Sequence, residues 1–464
     1  MRWQVVGSRI LLASIVVVLV LGGFSQAKAQ DEQDDVVSNL AGVFVDAEGV
    51  LHKRVITDRS GMLTRQRILA ARASLAPDVA ARSKLRKISL GRLEAALRRN
   101  QAVPDETMRY LAGLQRVRYV FYYPESKDIV IAGPAEGWMV DPTGRVVGIR
   151  NRRPTLQLQD LVVALRAFPP DGKETPLIGC SIDPTREGLA RFERFKRELT
   201  ALYARNPNIP TKNIVEATRQ SLGKQNVSIK GVSPETHFAQ VLVEADYRMK
   251  LIGIGLERPP IRLVSYADRA DRSRVASNAM QRWFFVPDYK CVRVTDDGLA
   301  AELVGDGVKL IGQDEMVTRE GVRKKAARGN RASRAFVNEF TMKYSQLAAR
   351  SPVFGELRNL IDLSVAAALI QQEGYYERSG WDLGILGKEK AFAVNTYRAP
   401  KMVETAVAAR WHGGRLTTPL GGGVHIQATT ALDSENLLTE DTARVEKLRE
   451  QVKPKLAEGQ WWWD

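Results

Sequence analysis

The stretch "VRYVFYYPESKDIVIAGPAEGWMVDPTGRVVG" (Val117–Gly148) decides the fold class. Two short apolar runs rich in Val, Ile, Tyr and Phe flank Glu125-Ser126-Lys127. A second pair flanks the turn Asp141-Pro142-Thr143-Gly144. Apolar runs of strand length separated by turn residues predict two β-hairpins. The segments on either side carry a different period. "RQRILAARASLA" (Arg65–Ala76) and "ARSKLRKISLGRLEAALRRN" (Ala81–Asn100) read as two basic amphipathic helices, with Leu90, Leu93 and Leu97 on one face. Asp105 to Leu114 reads as another short helix, and "LQLQDLVVALRAF" (Leu156–Phe168) is helical. Helices bracketing hairpins predict an α+β unit from about 65 to 205.

The same alternation continues. "LIGCSID" (Leu177–Asp183) reads as a strand, and Asp183-Pro184 as a helix cap with proline at the first helical position. The helix "TREGLARFERFKRELTALYARN" (Thr185–Asn206) follows. Past a Pro/Asn-rich joint, a helix over Ile214–Leu222 and the strand "NVSIKGV" (Asn226–Val232) open a second α+β unit, about 210–315. Met280–Gly312 supplies its strands, separated by "PDY", "DDG" and "GDG" turns. Residues 316–464 read as a mainly helical region. It has long helices broken at Ser351-Pro352, a Gly-rich strand near "GGGVHIQATTAL" (Gly421–Leu432), a polar helix "ARVEKLREQVKPKL" and a Trp-rich tail that docks on the body. The expected fold class is α+β and multidomain, with mixed helices, short antiparallel sheets and a helical segment in the C-terminal half.

The N-terminal residues read as an export signal. A basic lead precedes the apolar run Ile10–Phe24, and Ala27-Lys28-Ala29 places small residues where a signal peptidase reads. The expectation is a leader over 1–29 cleaved after Ala29, with an uncleaved anchor as the alternative, then a flexible lead-in over 30–64 holding one short strand. The run is shorter than the roughly 20 residues of a membrane span. No second long apolar run follows, so no transmembrane span is expected after signal removal. The expected location is the periplasm or cell envelope.

The chain holds 69 Lys and Arg against 53 Asp and Glu, a net charge of +16. Loss of Arg2, Arg9 and Lys28 with the leader lowers this by three, to +13. Such a charge favours an acidic envelope component or an anionic surface as partner. Nucleic acid would be attracted too, but an exported protein seldom meets it. Arg319, Arg323, Lys324, Lys325, Arg328, Arg331 and Arg334 make a basic strip, read first as a solvated linker and second as an anionic docking strip. Cys180 and Cys291 leave two readings open, a long-range disulfide or two buried thiols.

Chemistry is sought first in "SPETHFAQVLVEADYRMKLIGIGLERPP" (Ser233–Pro260). Ser233 is the expected cap and Pro234 the first-turn residue. Phe238, Leu242, Ala245, Met249 and Ile252 form a buried ribbon beside His237, Val241, Glu244 and Arg248, and Asp246 and Lys250 form an i,i+4 pair. His237 and Glu244 share a face but lie about 10 Å apart along the axis, too far for a direct dyad. One reading makes His237 a general base and Glu244 a second proton-transfer group of one cleft. The other makes His237 a polar first-turn residue and Glu244–Arg248 a salt link. His52 reads as an exposed turn-flanking residue. His412 and His425 flank a Gly-rich stretch without a third ligand at diagnostic spacing, so no metal is assigned. Gly179-Cys180-Ser181 offers a thiol with no histidine placed for it. Dinucleotide, phosphate-loop and nucleophile-elbow motifs are absent. No catalytic residue and no cofactor is assigned.

Four segments resemble a known family as a set. They are "YPESKDIVIAGPAEGW" (Tyr123–Trp138), "IGCSIDPTREGL" (Ile178–Leu189), "THFAQVLVEADYRMKLIGIGLE" (Thr236–Glu257) and "SPVFGELRNLIDLSVAAAL" (Ser351–Leu369). Together they are similar to the secreted planctomycete proteins called domain of unknown function 1598, over roughly 50–450. The resemblance implies export in a bacterium with an elaborate envelope. It supplies no activity, cofactor or catalytic residue. Two functions follow from the sequence: a non-enzymatic envelope component acting through its surfaces, or a hydrolase of unassigned class with an interdomain cleft. The hydrolase requires His237 and Glu244, or His412 and His425, to converge on one pocket.

Overall fold

A computed structural model of the chain describes residues 39–206, 208–270, 279–317, 323–325, 330–408, 421–454 and 456–464. The N-terminal third contributes strands β1 (Asn39–Val45), β2 (Val50–Thr57), β3 (Ser83–Ser89), β4 (Tyr119–Tyr123), β5 (Asp128–Ala135), β6 (Trp138–Val140) and β7 (Val146–Gly148). The middle adds β8 (Ile178–Pro184), β9 (Gln225–Lys230), β10 (Ala279–Pro287), β11 (Val292–Val294), β12 (Ala300–Leu303), β13 (Val308–Val317) and β14 (Arg323–Lys325). The C-terminal third adds β15 (Met402–Val403), β16 (Gly421–Ile426) and β17 (Trp462–Trp463).

One nine-stranded sheet has the order β1-β2-β15-β9-β8-β16-β10-β13-β14. It consists of three local antiparallel blocks, β1/β2, β8/β9 and β10/β13/β14, joined by two strands from the C-terminal third. β15 links β2 to β9, and β16 runs parallel to β10 and antiparallel to β8. The close fit of β16 explains its glycines. A Cβ on Gly422 would run into the Trp283 carbonyl, and one on Gly423 into the Cys180 carbonyl. Strand pairings therefore cross the expected boundaries near 64, 205 and 315. From Asn39 onward the expected flexible lead-in is a β1/β2 hairpin at the edge of this sheet.

The second sheet has the order β11-β12-β4-β5-β3-β17. Alternation along its strands sends Ile88, Val120, Tyr122, Ile129 and Ile131 into the main core. The opposite face, with Phe121, Tyr123, Val130 and Ala132, packs against Val445 of the helix Thr442–Gln451. β6 and β7 form a separate two-stranded hairpin. The helices Leu158–Ala167, His237–Gly253 and Pro352–Gln372 pack on one another, and the His237 helix also lies on β8 and β16. Both longer helices bury residues on nearly every face, their charged residues included. That arrangement sets charged groups inside the core.

The mixed α+β character, both hairpins, the Met280–Gly312 strands and the break at Ser351-Pro352 stand as read from the sequence. Local boundaries differ. Ser83–Ser89 is a strand, because pairing with β5 and the burial of Arg86 outweigh helical periodicity; the helix begins at Leu90, capped by the Ser89 side chain. β8 runs through Pro184, so Thr185 caps the next helix, its hydroxyl accepting from Gly188 N at 2.9 Å. Thr236 caps the His237 helix in place of Ser233, with its hydroxyl accepting from Ala239 N at 3.2 Å. Cys180 and Cys291 are separate buried thiols, which settles the open cysteine alternative.

His52 lies on β2, its Nε2 2.7 Å from Asp46 and its ring stacked on Phe44. In the basic strip, Arg323–Lys325 form β14 against β13, while Arg331 and Arg334 belong to the helix capped by Asn330. Arg319, Arg328 and His412 lie outside the described residues. The tail docks: Trp461 is buried, β17 pairs with β3, and the Asp464 carboxylate accepts from fully buried Arg86 at 2.8 and 2.7 Å. No helix among the described residues is long and apolar enough to cross a membrane.

Candidate functional site

A cleft of about 440 Å³ opens where the first half of the His237 helix meets three other segments. The helix contributes His237, Gln240, Val241 and Glu244. The start of the Leu158 helix contributes Gln157, Leu158 and Gln159, the β6–β7 turn Thr143 to Val146, and a later segment Phe392 to Asn395 and Tyr397. Gly42 and Val43 of β1 and the pair Arg109–Tyr110 complete the wall. Four carboxamides (Gln157, Gln159, Gln240, Asn395) and two phenols (Tyr110, Tyr397) sit among apolar residues and the charged wall, a lining that suits a polar, hydroxyl- or amide-bearing ligand.

His237 is the most reactive group on that wall. Its Nδ1 lies 2.9 and 3.1 Å from the two Asp160 oxygens. That contact assigns the ring proton to Nδ1, donated to Asp160, and leaves the Nε2 lone pair on the other side. The nearest group to Nε2 is the Gln157 amide nitrogen at 3.4 Å, a long contact that a ligand can replace. The Tyr397 ring stands 5.8 Å away, centroid to centroid. Burial works against the imidazolium, but the Asp160 charge and hydrogen bond, with Glu356 beyond, outweigh it and raise the His237 pKa above its ordinary value.

Beneath the histidine lies a chain of buried charges. Asp141 shapes the β6–β7 turn, its carboxylate accepting from Thr143 N at 2.8 Å, Thr143 Oγ1 at 2.6 Å and Arg145 N at 3.0 Å. Gly144, with φ of +92°, completes the reversal. The turn points Arg145 inward, where it donates to both Glu244 and Glu356. Glu244 also receives Arg248 at 3.4 Å, Arg248 pairs with Glu257 at 2.8 Å, and Lys53 closes the row on Glu257 at 2.6 Å. Burial raises the Glu356 pKa against the pull of Arg145. Arg145 Nε, Glu356 Oε1 and Gln159 Oε1 are buried without a hydrogen-bond partner among the described residues. Capacity left open next to a polar cleft is what a bound ligand or a proton can use.

The structure brings His237 and Glu244 to one cleft, as the first reading of the helix requires, while the Glu244–Arg248 link of the other reading and the Asp246–Lys250 pair are also formed. Asp160, Arg145 and Glu356 escaped the sequence reading, because each lies far along the chain from the group it serves. A faint signal was present: Asp160 and Glu356 are charges inside largely apolar helices. His425 is elsewhere, on β16 with its ring 4.4 Å from Phe284, and burial together with Arg282 and Lys230 lowers its pKa. The Cys180 thiol is pushed up by burial and by Asp246, so it is a poor nucleophile. Among the described residues no group of three or more His, Cys, Asp or Glu is arranged to hold a metal ion.

Residues 180–266 match a family model described as Protein of unknown function (DUF1598). The family resemblance thus holds, over a shorter span than the four quoted segments suggested. The matched span contains His237 and Glu244, while Arg145, Asp160 and Glu356 lie outside it. No curated protein and no solved structure matches the chain.

Proposed function

We propose that the protein is exported and that its cleft performs general acid–base chemistry of the hydrolase class on a polar substrate. The observation that carries the reading is His237 on the cleft wall, held by Asp160 through Nδ1, which leaves Nε2 for a ligand. In this role Nε2 takes a proton from a water molecule as that water attacks, and Asp160 stabilises the imidazolium that forms. The proton then passes to the leaving group. Among the described residues no serine or cysteine lines the cleft, and the Thr143 hydroxyl is donated to Asp141, which favours direct attack by water over a covalent intermediate. A positioned base contributes typically about 10²–10⁴-fold.

The test uses the mature chain against p-nitrophenyl acetate, p-nitrophenyl phosphate and a p-nitrophenyl glucoside. At least one should be turned over, with His237→Gln lowering the rate at least about 100-fold. The base must be unprotonated to work, so activity should rise with pH through a value above the ordinary imidazole range. Equal rates for wild type and variant on every probe would defeat the reading. Export rests on the leader-like residues 1–29, and N-terminal sequencing of protein from its native cells should begin at Gln30. A second reading keeps the cleft as a binding site of an envelope component with an acidic partner. It is favoured by the ion pair of Arg145 with Glu244, which occupies the second proton-transfer candidate, and it survives if ligand binds without turnover.

A further inference from the structure

The helix Met62–Ser74 turns three large apolar residues away from the fold. None of its residues is fully buried. Its inner side, Ile68, Ala71 and then Leu75, packs on Met139, Val147 and Ile149. The outer ridge carries Met62 and Leu69, exposed by 58% and 60%, with Leu63 beside them at 46%. Arg65 and Arg72 flank this ridge on one side and Arg67 on the other, and the helix contains no acidic residue. An outward apolar ridge edged with arginines is unfavourable in water and matches the interface of an anionic bilayer.

Chain topology supports the same partner. β1 begins at Asn39, paired with Thr57, and Thr57 lies just before the helix. The Asp58 carboxylate then accepts from Leu63 N at 3.3 Å and Thr64 N at 3.0 Å, fixing the helix to that corner. The described chain therefore begins at the corner from which the exposed helix leaves.

We infer that the Met62–Ser74 helix docks the protein on an anionic membrane surface, with Met62 and Leu69 among the acyl chains and Arg65 and Arg72 among the headgroups. The inference rests on the exported reading, and its test is independent of both export and catalysis. Mature protein is sedimented with vesicles of phosphatidylcholine alone, or of phosphatidylcholine and phosphatidylglycerol in equal amounts, and heparin serves as a soluble polyanion. Binding is expected only to the anionic vesicles. Arg65→Glu with Arg72→Glu should weaken it at least about tenfold. Leu69→Gln, which adds no charge, should weaken vesicle binding several-fold and leave heparin binding unchanged. All these side chains are exposed, so unchanged thermal unfolding confirms that the variants fold. His237→Gln should bind vesicles as wild type does, which keeps failure of the cleft chemistry apart from failure of docking. Absence of vesicle binding, binding indifferent to these variants, or loss that follows heparin affinity alone would each overturn the inference.

Discussion

Two acid–base pairs hang from opposite ends of the His237–Gly253 helix, and they are built to different ends. Near its C-terminus, Lys250 Nζ donates to Asp246 Oδ2 and to the Ile182 carbonyl, both at 2.8 Å, in a dry contact against β8. Near its N-terminus, His237 is held by Asp160 on one side only and opens to a cleft on the other. In the first pair the open atom, Asp246 Oδ1, is buried away from the cleft, and the charges serve the packing of helix on sheet. The second is satisfied where it must be positioned and open where it can react. A buried charge by itself thus says little about function; which of its sides remains free says much more.

Removing one partner should separate the two ends most clearly. Lys250→Met leaves Asp246 in the core without its cation and should cost about 3–5 kcal/mol in urea unfolding. Adding Asp246→Leu should restore much of that loss, and a single variant as stable as wild type would show that the pair is not sealed. At the cleft end, solvent can relieve the loss, so Asp160→Asn should cost about 1 kcal/mol or less, with His237 titrating at lower pH by NMR. A drop as large as that of Lys250→Met would place the cleft pair in the same structural class.

The pH dependence of stability sharpens the contrast with a smaller effect. Burial raises Asp246 from 3.8 to about 6 against the pull of Lys250. The folded state then holds a proton that the unfolded chain has released, so stability falls as pH rises between about 4 and 6. His237 is also raised, so its contribution is complete below the ordinary imidazole value of 6.5 and is lost as pH climbs through the folded value. Unfolding curves of Asp246→Asn should differ from wild type in the lower window, and those of His237→Gln in the upper one. Identical difference curves would mean that the two ends share one electrostatic network.

Local pattern carried much of the fold. Alternation and turn chemistry mark the β4/β5 and β6/β7 hairpins, and the steps of three and four along Phe238–Ile252 place that ribbon in the core. Ser83–Ser89 misled because Leu90, Leu93 and Leu97 extend a helical rhythm backward over residues that pair with β5. Of the site, only the His237 helix was legible. Asp160 lies 77 residues from His237, and Arg145 lies 99 from Glu244. Neither separation leaves a periodic trace, since packing of distant segments and not helix geometry sets these contacts.

The position of β16 bears on how the chain reaches this structure. Its six residues, 421–426, are wedged between β8 and β10, and the two residues of β15 join β2 to β9. A growing chain can form each local block early, yet it has nothing to join them until most of its length has emerged. Closure over such long sequence separations is slow. Until it occurs, the blocks remain separable. The late strands thus delay the final locking of the fold until most of the chain is in place.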